Sequence, residues 1–166
     1  NGWVEVESEE DRGSTFNVFL PVHEGVTAPA GESKQHKLPV AGGTETILVV
    51  EDEPTVRVLA CSVLSQYGYR VIEAASGADA LATWEKERGR IDLLLTDVVM
   101  PGGMTGTELA DQLTQWKKDL KVLLTSGYRV DSLGQKAPIR KGYRFLPKPF
   151  SPEDLARKVR QCIDGK

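Results

Sequence analysis

Cysteine, histidine, long apolar runs and excess positive charge are all scarce in this sequence, and each scarcity narrows the range of functions. Cys61 and Cys162 are the only cysteines. They lie far apart, in none of the close spacings that zinc sites and redox motifs use, so both are expected to be reduced structural thiols. Lysine and arginine number 21 against 24 acids, a net charge of -3. No basic stripe neutralises phosphates, and nucleic acid is not expected as a direct partner. No apolar run approaches the roughly 18 residues of a membrane span, and the N-terminus has no basic segment leading into a hydrophobic one. The expectation is a cytoplasmic chain that makes no membrane contact of its own. At 166 residues it can bury one sizeable core and little more.

What is present is an alternation that begins at Glu45. Short β-branched or leucine-rich runs, "TILVV" (46–50), "YRVIEA" (69–74), "IDLLLT" (91–96), "KVLLTS" (121–126) and "YRFLP" (143–147), alternate with amphipathic stretches near 54–67, 77–88, 106–117 and 152–163. A weaker helical stretch falls near 130–136. Strand and helix in alternation imply right-handed crossovers and a parallel sheet covered on both faces. The expected fold is therefore α/β, a doubly wound five-stranded parallel sheet. Helix boundaries carry their own signals. Pro54 suits a first helical turn, and Gly68 a stop. "SPED" (151–154), "SGAD" (76–79) and "TGTE" (105–108) place a hydroxyl where it can cap the start of a helix.

Upstream the pattern changes. In "WVEVES" Val4 and Val6 alternate with Glu5 and Glu7, and in "TFNVFLP" Phe16, Val18 and Leu20 share one face. "EEDRGS" between them supplies turn residues, so residues 1–22 read as a β-hairpin. A lone hairpin is marginal in water, and its apolar face implies a sheet further upstream. Residues 23–44 are rich in Pro, Gly, Ala and charge without an apolar period, as a flexible linker would be.

In an open parallel sheet, functional groups gather beyond the carboxyl ends of the strands. Those ends hold Glu51 and Asp52, then Asp97, then Ser126, then Lys148. Asp97 closes the most apolar run of the chain, "IDLLLTDVVMPGG" (91–103), where an unpaired carboxylate would be costly. Its partners must come from distant segments. Like-charged pairs about 4 Å apart cost roughly 4 kcal/mol at an effective dielectric near 20, so three converging carboxylates call for a cation. Oxygen-only ligands with room for water favour Mg²⁺. Together with the Lys148 ammonium and the Ser126 hydroxyl, such an ion would make a receptacle for a phosphoryl group on Asp97. Singly, each residue has an ordinary reading: Glu51 and Asp52 as helix caps, Ser126 as the start of a turn, Lys148 as a surface lysine.

On "LVVEDEP", "TDVVMPGG", "TSGY" and "FLPKPF", residues 45–166 resemble a receiver domain of two-component signalling, with its flavodoxin-like fold. The resemblance implies that Asp97 accepts a phosphoryl group from phosphohistidine and later loses it, both in self-catalysed steps. It implies Mg²⁺ held by Asp52 and Asp97, by Glu51 mainly through water, and by the backbone carbonyl of Val99. It makes Ser126 and Phe145 the switch pair, acting on the fourth helix, fifth strand and fifth helix of the domain. The extra loop residue in "DVVMPGGMTG", with "SGY", is similar to receivers of hybrid sensor kinases. Residues 1–22 resemble the terminal hairpin of a histidine-kinase ATPase domain, with Gly13, Thr15 and Phe16 in a recurrent pattern but without its nucleotide-contacting motifs. The implied partners are a histidine-kinase phosphodonor domain and a downstream histidine phosphotransfer protein. The alternative is a stand-alone response regulator acting through protein contacts.

Three rivals fit less well. A flavodoxin-like cofactor binder needs a phosphate-receiving loop where "EDEP" would repel phosphate. A haloacid-dehalogenase-type phosphatase has a second aspartate two residues after its nucleophile, where this chain has Val99. A transcriptional regulator would carry an effector domain, and only Asp164, Gly165 and Lys166 follow the last helix here. His23 precedes Glu24, as in some phosphoacceptor histidines, but "GVTAP" cannot sustain the long helix such a site occupies.

Overall fold

The computed structural model describes residues 2–21, 40–87, 89–101, 103–127 and 142–165. It divides into two compact units, Asn1–Lys37 and Leu38–Lys166. Residues 23–39 of the linker expected over 23–44, and the weak helix expected over 130–136, lie outside the described residues.

In the first unit, β1 (Trp3–Glu9) and β2 (Gly13–Phe19) pair antiparallel, with Val4 opposite Val18 and Val6 opposite Phe16. These four apolar side chains share one face. On the other, the Trp3 and Phe19 rings stack with centroids 4.8 Å apart. The turn bends through Asp11 at φ 62° and Gly13 at φ 95°, left-handed conformations that aspartate tolerates and glycine adopts freely.

The second unit is a five-stranded parallel sheet. In chain order its elements are β3 (Thr46–Val50), α1 (Pro54–Gln66), β4 (Arg70–Ala74), α2 (Gly77–Glu87), β5 (Leu93–Asp97), α3 (Gly106–Trp116), β6 (Lys121–Ser126), β7 (Arg144–Pro147) and α4 (Pro152–Ile163). The strand order is β4-β3-β5-β6-β7, so β3 and β5 are interior and pair with one another. The period of two sends neighbouring residues of one strand to opposite faces. Leu94 packs with Leu48, Val50 and Leu124 in one cluster, while Leu93 and Leu95 pack with Ile47, Val49 and Leu123 in the other. Both faces are covered, which is why these strands show no polar alternation. Each leucine so buried contributes about 1.5–3 kcal/mol relative to exposure.

Strand β5 begins at Leu93, two residues later than the sequence suggests. Ile91 is fully buried all the same. Asp92 instead ties the strand entrance to β3: its carboxylate accepts the Thr46 N–H at 2.8 Å, and its own N–H donates to the Thr46 carbonyl at 2.8 Å. The caps follow the sequence. Ser151 accepts the Asp154 N–H at 3.1 Å, Ser76 accepts the Asp79 N–H at 3.1 Å, and Thr105 and Glu108 form a reciprocal capping box. Among the described residues, no helix is long and apolar enough to cross a membrane.

Candidate functional site

The interior strands β3 and β5 deliver their carboxyl ends side by side, and this adjacency builds the site. Asp97 is the last residue of β5, and Glu51 and Asp52 directly follow β3. One carboxylate oxygen from each lies within 4.8 Å of the others. Lys148, just past β7, spans the cluster. Its Nζ donates to Glu51 Oε2 at 2.7 Å and to Asp97 Oδ2 at 2.7 Å. The other Asp97 oxygen, Oδ1, accepts the Val99 N–H at 3.3 Å, so both are held. Glu51 and Asp52 do not cap α1, because the cap is Glu53, whose carboxylate accepts the Thr55 N–H.

The remaining residues singled out in the sequence fall around this cluster. Ser126 ends β6, is buried, and its carbonyl accepts the Lys148 N–H at 2.9 Å. Lys148 is followed by a cis bond to Pro149. Phe145 lies on β7 opposite Leu124 and packs, partly buried, against the cluster that contains Leu94 and Val98. Val99 is more than half exposed. The loop beyond it is pinned where α3 meets β5: the Gly106 N–H donates to the Val98 carbonyl at 3.0 Å. A Cβ on Gly106 would collide with the Asp97 carbonyl oxygen. Only glycine lets the helix start this close to the strand end.

Charge sets the character of the pocket. Burial pushes the Glu51 carboxyl above its ordinary range, the Lys148 hydrogen bond and charge pull it back, and Asp97 and Asp52 add to the rise. For Lys148, burial works against the ammonium, but its hydrogen bonds and charge attraction to Asp97 and Glu51 outweigh it and leave the group more basic than usual. Three acidic side chains thus converge on one lysine, which bonds two of them, in a partly buried site. An all-oxygen donor set of this kind fits a hard divalent cation with water completing its shell.

One contributor escaped the sequence reading. Arg57, on the first turn of α1, donates from Nη1 to the backbone carbonyl of Glu51 at 2.6 Å and to that of Asp52 at 3.3 Å. The available signal was a cation at a helix N-terminus, where the helix dipole disfavours it.

A doubly wound sheet with a lysine-bridged acidic pocket at the carboxyl edge of its interior strands is the architecture of a phosphoryl-accepting α/β domain. Residues 47–160 match the response regulator receiver domain, and the chain belongs to that family. It is 37% identical to the sensor kinase CckA of Brucella abortus over 98% of its own length, and spans 18% of that relative. It is 32% identical to the response regulator receiver protein CpdR of the same organism, covering 70% of this chain and 95% of CpdR. The crystal structure of the receiver domain from the hybrid histidine kinase CckA superposes with a TM-score of 0.61 at 39% identity, covering 71% of this chain and 98% of that one. The response regulator TrrA of Thermotoga maritima, in complex with Mg²⁺ and BeF, superposes with a TM-score of 0.62 at 32% identity, covering 72% of this chain and 99% of that one.

Proposed function

We propose that Asp97 is the phosphoacceptor of a Mg²⁺-dependent receiver that forms part of a hybrid histidine kinase. The observation that carries this reading is the Lys148 ammonium bridging Asp97 and Glu51 at 2.7 Å each, with Asp52 beside them. A carboxylate oxygen of Asp97 attacks the phosphorus of a phosphohistidine. The P–N bond breaks as the P–O bond forms, and the imidazole nitrogen keeps the electron pair. Lys148 offsets charge on the transferred group, and the Val99 N–H and Lys148 together orient the carboxylate. A bound Mg²⁺ would be held by Asp52 and Asp97 directly, by Glu51 through water and by the Val99 carbonyl. The bound ion supplies neutralisation of the phosphoryl oxygens. Hydrolysis of the acyl phosphate later returns Asp97 and inorganic phosphate.

The Ser126 hydroxyl gains a bond to the phosphoryl group, and Phe145 turns inward into the space released. This differential contact shifts the surface around β7 and α4. Residues 1–22 form the closing hairpin of an upstream ATPase domain, 23–44 a linker and 45–166 the receiver, all on the cytoplasmic side. Partial support comes from coverage. The sensor kinase CckA and the histidine kinase CikA of Thermosynechococcus vestitus match 98% and 96% of this chain, whereas the receiver protein CpdR matches 70%. The partners are then a phosphodonor histidine domain and a histidine phosphotransfer protein.

Incubation with acetyl phosphate and Mg²⁺ is expected to add one acid-stable, base-labile phosphoryl group, which EDTA prevents. Asp97→Asn should abolish the labelling. An asparagine variant that labels as fast as wild type, or labelling indifferent to metal, would overturn the reading.

A further inference from the structure

We infer that Arg57 is a positioning residue that sets the metal affinity of the pocket by gripping the backbone of its two acidic residues from below. The inference rests on the metal-dependent reading above.

Three observations lead to it. Arg57 is the fourth residue of α1, where a cation opposes the helix dipole, and the one acid at this helix start, the Glu53 cap, has its carboxylate engaged by the Thr55 N–H. A residue in so unfavourable a place needs an offsetting contact. That contact is the pair of bonds to the Glu51 and Asp52 carbonyls, at 2.6 and 3.3 Å. Charge-assisted bonds of this kind are roughly twice as strong as neutral ones, and here one nitrogen, Nη1, donates to both carbonyls while the planar guanidinium fixes its direction. The second contact, Nε to Glu73 Oε2 at 3.4 Å, involves a carboxylate 60% exposed, and exposed ion pairs contribute little. Arg57 itself is only 16% exposed, so the carbonyl grip is the better-shielded interaction.

The consequence concerns direction. Glu51 is held at its carboxylate by Lys148 and at its carbonyl by Arg57, and its N–H donates to the Ala74 carbonyl at 3.2 Å. Two cations from different elements therefore hold this one residue at both ends. Among the described residues no hydrogen bond holds the Asp52 carboxylate, and its orientation follows the peptide whose carbonyl Arg57 holds. Groups that orient metal ligands without touching the ion commonly govern affinity by about 10- to 100-fold.

The test is a Mg²⁺ titration of the full chain, followed by amide NMR shifts at residues 51–53 and 97–99, with hydrogen exchange of the 52–53 amides measured metal-free. Arg57→Met, which keeps the aliphatic stem, is expected to weaken Mg²⁺ about tenfold or more and to speed that exchange. Arg57→Lys should recover part of both, since a shorter ammonium side chain can still donate to a carbonyl but lacks the planar guanidinium that fixes direction. Glu73→Gln should leave affinity at the wild-type value. Wild-type affinity in Arg57→Met, or a loss in Glu73→Gln equal to that in Arg57→Met, would overturn the inference while leaving the receiver reading intact. A wild type that binds no Mg²⁺ would overturn that reading and this one together. Because affinity is read on folded protein, a variant that is merely less stable gives unchanged shifts at saturation and an unchanged midpoint, which counts against positioning.

Discussion

The hairpin and the sheet domain are built from the same chemistry, β-branched and aromatic residues in extended chain, yet they bury it in opposite ways. In the hairpin, Val4, Val6, Phe16 and Val18 line one face and each is more than half exposed. In the sheet, Ile47, Leu48, Leu93 and Leu94 are fully buried. The difference is crossover helices. Each parallel strand must return over a face of the sheet, and the returning helix covers what the strand presents. A two-stranded ribbon has no such cover among the described residues of its unit. Stability and chemistry are therefore both expected to reside in Leu38–Lys166, and the comparison can be broken at several points.

The largest expected effect is on the pocket. Asp52→Ala should remove most of the Mg²⁺ binding, whereas a chain reduced to residues 38–166 should bind as the full chain does. Amide NMR titration checks both. Loss of binding on removing the hairpin would show that the two units share the site.

Next comes packing. Leu94→Ala is expected to cost about 2–5 kcal/mol in urea unfolding, because it empties a fully buried position on β5. Val6→Ala on the hairpin should stay within about 0.5 kcal/mol, as exposed substitutions do. Comparable losses at both would mean that the hairpin face is covered.

Smaller still is the switch. Ser126→Ala should accept phosphoryl but show reduced amide shifts around Phe145 on phosphorylation. Shifts equal to those of wild type would remove this hydroxyl as the trigger.

The smallest effect tests an exposed feature within the well-packed unit. The backbone N–H and the hydroxyl of Thr105 hold the Glu108 carboxyl below its ordinary value of 4.5. A depressed carboxyl stabilises the folded state above its unfolded value, and that contribution fades as pH falls through the folded one. The difference in melting temperature between wild type and Glu108→Ala should therefore be constant near neutrality and shrink below pH 4.5. A difference that grows on acidification would contradict the capping box as the source.

Much of this was legible without coordinates, for local reasons. Helix starts were readable because a cap and its target lie three residues apart, as Thr105 and Glu108 or Ser151 and Asp154 do. The strands were readable because both faces are buried, which leaves unbroken runs such as "LLL". The site residues could be picked out because strand ends in a doubly wound sheet gather at one edge. Arg57 was not picked out, because its partners are backbone carbonyls, which no residue type announces. The boundary at Leu93 was missed for a related reason: Asp92 spends its side chain on the Thr46 N–H of another strand.

The sequence by itself determined the alternation of strands and helices, the caps, the split between hairpin and sheet domain, and the set of residues available for chemistry. Those depend on periods of two and 3.6 and on contacts a few positions apart. Tertiary structure decided the rest. That Lys148 reaches Glu51 across 97 positions, taking one oxygen of Asp97 while Val99 takes the other, follows from β3 and β5 pairing in register at the middle of the sheet. Hydrogen bonds and charges act over a few ångströms, and only the closed fold determines which distant residues come within that range.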